Sequence, residues 1–183
     1  SISNLPEEYQ ELEPYLPKYG EVFGIPFFAS NGVSDEKLSH ALNVMAEWLD
    51  NNKDGLPDNQ LVVDKIVLRK GGMIMFEDEE GDEDSGVWAL SLGYMDWDNL
   101  VGLYEDETNP PHGFDASIEE ILHLITMTGY ANVYPDVFGE FSGSKVANLM
   151  DEARGGHFEE DEDWDEDSGR GDDAVPNSYP YSS

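Results

Sequence analysis

Apolar and polar positions alternate along this chain with helical spacing in four places, and apolar positions run together in four more. Leu38, Ala41, Leu42, Met45 and Leu49 recur every three or four residues behind Ser34-Asp35-Glu36-Lys37. That is one apolar helix stripe with a serine N-cap and acids in the first turn. Residues 60–69, QLVVDKIVLR, predict a second helix, stopped by Gly71-Gly72. A third is expected from about Ser117 to Thr128, with Gly129 as its C-cap, and a fourth over SKVANLMDEAR, 144–154. The unbroken apolar runs GIPFFAS (24–30) and MIMF (73–76) read as short strands, the second of them buried, and VWALSLGYM (87–95) and LVGLYED (100–106) are further apolar runs joined by a turn at Asp96 to Asn99. Between these elements, LDNNKDGLPDNQ (49–60) is turn chemistry, EDEEGDED (77–84) reads as a solvated acidic loop, and ANVYPDVFGEF (131–141) as a loop with aromatic anchors.

The expected fold is therefore α+β, about four helices packed on a few short strands. Length, 183 residues, suits one domain with a real core. The organisation expected is an N-terminal arm over 1–21, a single α+β domain over 22–158 and an acidic C-terminal tail over 159–183. Eight of the nine residues from Glu159 to Asp167 are acidic, a composition that does not form a packed core by itself.

Charge narrows the function. Nine basic residues stand against 41 acidic ones, a net charge of -32. Nucleic acid and anionic membrane surfaces are thereby excluded as natural partners, because no counterion release favours the contact. Calcium, other hard cations, mineral surfaces and basic proteins are favoured. Without cysteine there is no disulfide, thiolate zinc site or thiol nucleophile. No apolar run approaches the ~18 residues of a membrane span. The start SISN, without Met, together with the acidity, leads to the expectation of a processed, secreted, extracellular protein. A homo-oligomer or filament through the acidic tail and Tyr179 and Tyr181 is a further expectation, since docked tyrosines make good interface anchors. Trp48, Trp88 and Trp97 are expected in the core, and His40 and His112 as structural or exposed residues.

Two stretches carry candidate chemistry. Asp50-Asn51-Asn52-Lys53-Asp54-Gly55-Leu56-Pro57-Asp58 matches D-x-[DN]-x-[DN]-G. Asp50, Asn52 and Asp54 would face one cation, joined by the Leu56 carbonyl and Asp58, with Gly55 allowing the bend. Position 12 is Leu61, not the bidentate Glu of an EF-hand, so weak binding of the extracellular class is expected, with Asp64 as a substitute ligand. The alternative is a plain polar turn between helices.

The second stretch is Glu119-Glu120-Ile121-Leu122-His123. Glu119 and His123 are four residues apart on one helix face, the spacing of two zinc ligands, with Glu120 in the place of a general base and His157 as third ligand. The alternative needs no metal: Ser117-x-x-Glu120 is a capping box, Glu119 complements the helix dipole, and His123 is structural.

Three blocks, 24–59, 113–140 and 150–159, resemble a family of secreted, largely uncharacterised proteins of marine microbes, algae and invertebrates. That family carries an EExxH helix and is loosely similar to zincin metallopeptidases. The resemblance implies a zincin-like core and zinc at Glu119, His123 and His157. It also implies a further Cys-containing segment beyond the YP dipeptide, where this chain reads YPYSS. Two functions follow as expectations. The first is a secreted, acidic, calcium-binding, non-catalytic matrix or assembly protein, associated with biomineral. The alternative is a zinc-dependent peptidase-like hydrolase.

Overall fold

The computed structural model describes residues 2–87, 99–139 and 143–154. It is α+β, as the sequence predicts, with two compact units, Ser1–Val133 and Tyr134–Ser183. In the first, a five-stranded sheet runs in spatial order β1 (Ser3–Asn4), β2 (Lys18–Val22), β3 (Ile25–Ala29), β4 (Gly72–Phe76), β5 (Leu100–Tyr104). The first three strands pair antiparallel, and β3, β4 and β5 run parallel.

Phe23-Gly24 closes the β2–β3 hairpin, with φ of 52° and 84°. Two positive φ values in a two-residue loop are the type I′ turn, whose twist suits the strands it joins. The β3–β4 crossover contains α1 (Asp35–Leu49) and α2 (Gln60–Leu68). All five residues of β4 are buried, as a parallel strand covered on both faces requires. Strict alternation then sorts its side chains. Met73 and Met75 join Phe27 and Ala29 against α1, α2 and α4 (Ala116–His123), while Ile74 and Phe76 join Phe28, Leu12 and Leu16 in a second cluster. A 3-10 helix, Glu7–Leu12, supplies part of that second cluster.

Four local expectations are corrected. The acidic stretch read as a loop contains α3 (Glu79–Ser85), because Asp78 accepts the Gly81 amide at 2.8 Å and the acids of the first turn complement the helix dipole. Gly129 does not end the third helix: α4 passes into a π-helix, Leu124–Tyr130, and then α5 (Ala131–Val133). Its lack of a side chain serves packing instead, since a Cβ there would lie 2.7 Å from Val62. The aromatic loop contains α6 (Pro135–Phe138), with proline in its first turn. Trp48 is 43% exposed instead of buried, while Trp88 and Trp97 lie outside the described residues. In the second unit α6 packs on α7 (Lys145–Arg154), whose first turn is capped by Ser144 accepting the Ala147 amide at 3.1 Å.

Candidate functional site

The loop between α1 and α2 is folded by its own carboxylates. Asp50 ends α1 and is only 8% exposed. Its Oδ1 accepts the Asp54 amide at 3.1 Å and its Oδ2 the Gly55 amide at 2.8 Å. Asn52 Oδ1 also accepts from Asp54 N, at 2.9 Å, and Asp54 Oδ1 accepts from Leu56 N, at 2.9 Å. Asp58 returns to the start, accepting the Asn51 amide at 2.9 Å and the Asn52 side-chain amide at 3.3 Å. Its own amide donates to Leu49 O at 2.8 Å. Gly55 at φ 85° and Lys53 at φ 61° provide the two left-handed residues this tight path needs.

Sequence reasoning placed Asp50, Asn52, Asp54, Leu56 and Asp58 on one turn, and the structure brings them there. Among the described residues, however, no three His, Asp or Glu side chains gather closely enough to hold a metal ion. The carboxylates face amides, which offset their mutual repulsion. The oxygens of Asn52 and the Leu56 carbonyl are the uncharged donors a hard cation would add. Asp64, the suggested substitute ligand, accepts from Gln60 Nε2 at 2.8 Å on the exposed side of α2. Leu61 is exposed as well.

The EExxH segment lies on α4. Its N-cap is Asp115, whose Oδ1 accepts from Ser117 N at 3.1 Å and Ser117 Oγ at 2.6 Å. The expected capping box is thus corrected: Ser117 sits inside the first turn, fully buried, and Asp115 takes the cap because it also reaches outward. It accepts the Asn109 amide at 2.9 Å and lies 2.6 Å from His40 Nε2 on α1. An ionised carboxylate only accepts, so Nε2 carries the proton. Burial pushes the Asp115 carboxyl up, but the hydrogen bonds from Asn109, Ser117 and His40 outweigh it and hold the group below the usual carboxylate value. This junction has no local signature, because His40 and Asp115 lie 75 positions apart.

Glu119 and Glu120 flank His123 from opposite sides of the ring. Glu119 Oε1 is 3.8 Å from Nε2, and Glu120 Oε2 is 3.7 Å from Nδ1. Both separations exceed hydrogen-bond length. Glu119 and His123 could share a cation on the Nε2 side, where Glu120 would orient the ring through Nδ1. Glu119 and His123 are about half exposed, and Glu120 is partly buried. The third expected ligand, His157, falls outside the described residues, as do the acidic tail, Tyr179 and Tyr181. Nearby, Glu107 is raised above the usual carboxylate value, chiefly by burial, with the charges of Asp106, Glu120 and Glu119 adding to it and a hydrogen bond from Tyr104 N opposing it. No described helix is long and apolar enough to cross a membrane. No protein-family model, curated protein or solved structure matches the chain.

Proposed function

We propose that this is a secreted, acidic, non-catalytic matrix or assembly protein that takes up calcium at Asp50–Asp58. The observation that carries the reading is the closure of that loop around Asp50, with three carboxylates, the Asn52 carbonyl oxygen and the Leu56 carbonyl inside nine residues. A divalent cation would replace amide contacts with shared carboxylates and relieve part of the -32 net charge. Lacking a position-12 Glu, the loop fits the weak extracellular class, with Kd of about 10⁻⁴–10⁻³ M. That range matches a calcium-rich exterior and a mineral-facing or basic-protein-binding role. Calorimetric titration with calcium tests this. One site lost in Asp50→Ala is the expected result, and no heat in the wild-type protein would refute it.

A second reading, a zinc-dependent hydrolase, rests on Glu119 and His123 sharing a helix face. Its expected signature is stoichiometric zinc in the purified protein and peptidase activity lost in Glu120→Gln. Glu120 opposite Nδ1, on the other side of the ring from Glu119, favours an orienting role for it and so weighs against this reading.

A further inference from the structure

His40, Val44, Glu47 and Trp48 recur at helical spacing on α1, along the flank that packs on α4, and Asn51 follows just beyond the helix end. At one end the His40–Asp115 contact pins the two helices together. Farther along they leave a groove of about 310 Å³, lined by Val44, Glu47, Trp48, Asn51 and Ile118. Trp48 is 43% and Ile118 40% exposed, though each has an apolar body large enough to anchor an interface. The volume lies at the small end of ligand pockets, room for one or two side chains of a partner.

Charge selects the occupant. Of the five lining residues one is a carboxylate and none is a cation. Asn51 and Glu47 adjoin the acidic loop, and Ile118 is followed by Glu119 and Glu120. The neighbouring cation, Lys53, already lies 2.7 Å from Glu47. Both members of that pair are well exposed, so the bridge is weak and its carboxylate exchangeable with an incoming lysine or arginine. A second copy of this chain would bring another -32 charges and is disfavoured. An aromatic face beside a carboxylate suits a cationic head, and the apolar floor suits an aliphatic neighbour.

We infer that the α1–α4 groove around Trp48 docks a basic amphipathic segment of a partner protein, an aliphatic side chain on Trp48 and Ile118 with a lysine or arginine at Glu47. The inference rests on the reading above for the basic character of the partner and is independent of calcium.

The test is titration of the full chain with a labelled Leu/Lys amphipathic helical peptide, followed by fluorescence anisotropy at ~0.15 M salt, where long-range attraction is screened. Two control peptides replace Leu by Ser or Lys by Glu. The variants are Trp48→Ala and Ile118→Lys, both at partly exposed positions, with circular dichroism to confirm folding. Expected are binding of the Leu/Lys peptide and about tenfold weaker binding by either variant, the loss of one anchor of ~1.4 kcal/mol. The Ser and Glu controls should also bind at least about tenfold more weakly. Equal binding of the Leu/Lys and Lys/Ser peptides, or binding indifferent to both variants, means plain attraction to the acidic surface and overturns the inference. No binding overturns it too. Self-association abolished by Trp48→Ala, without peptide binding, would assign the groove to a second copy instead. Repeating the titration with Asp50→Ala separates the two readings, since loss of calcium uptake there leaves the peptide result standing.

Discussion

The loop at 50–58 and the helix at 116–123 both carry the spacing of a metal site, and the structure treats them differently. In the loop each patterned residue has a backbone job: Asp50 holds the amides of Asp54 and Gly55, Asp54 that of Leu56, and Asp58 that of Asn51. On the helix, Glu119 and Glu120 face His123 at 3.7–3.8 Å, beyond hydrogen-bond length, and their segment is held by Asp115 and the apolar face of Ile121. A loop motif encodes its own conformation, so the pattern and the fold are one statement. A helical i, i+4 pair encodes only a shared face, and any further ligand must come from elsewhere in the chain.

The largest expected break in that comparison is Asp115→Ala. It removes a helix cap and leaves Asn109 N and the buried Ser117 without their acceptor, a loss of about 3 kcal/mol in denaturant unfolding. Its pH dependence follows from the lowered carboxyl. The stability it contributes is complete above the ordinary unfolded value near ~3.9 and disappears as pH falls through the lower folded value. The gap between wild type and Asp115→Asn should therefore be constant above about pH 5 and narrow below about pH 4.

Asp50→Ala comes next, at about 2 kcal/mol without calcium, because the nearly buried carboxylate that accepts the Asp54 and Gly55 amides is lost. If urea unfolding shows no loss, the loop is not organised by its carboxylates and the contrast with the helix collapses.

Glu107→Gln should act in the opposite sense and gain a few tenths of a kcal/mol at pH 7. The raised carboxyl contributes stability only below its unfolded value and loses it as pH rises through the folded one, whereas glutamine stays neutral and can still accept from Tyr104 N. The advantage over wild type should vanish below about pH 4, which thermal melts across pH would reveal.

Smallest is His123→Ala. Half exposed and facing Glu119 and Glu120 beyond hydrogen-bond length, the ring should matter by no more than about 0.5 kcal/mol. A drop beyond about 1.5 kcal/mol would mean the helix site is more organised than its spacing conveys.

Much of the fold was legible because its signals are local. The Ser34 cap, the stripe from Leu38 to Leu49 and the apolar strand around Ile74 each state their own conformation. So does the loop pattern from Asp50 to Asp58. Other features needed contacts that no window contains. Asp115 became the cap in preference to Ser117 because His40 and Asn109 share its carboxylate. The acidic α3 was masked by composition, since repulsion between its acids is offset by a cap and by the Tyr104 hydroxyl, which donates to Asp82 at 3.1 Å. Trp48 reads as core by residue type, and only the crossing of α1 and α4 leaves it half uncovered.

The π-helix at Leu124–Tyr130 has a consequence for how this sequence can change length. An i→i+5 turn takes up one residue more than an α turn. Thr126 helps hold it open, its hydroxyl donating to Leu122 O at 2.7 Å. Gly129 is thereby set against Val62 and Ile66 on α2. Deleting one residue on the outer face here would let the segment relax to α geometry with the residues after it, Gly129 included, close to their present facing. This stretch thus carries a residue to spare: losing one at its outer face, such as Met127, is easier to accommodate than gaining another, which would turn Gly129 away from α2.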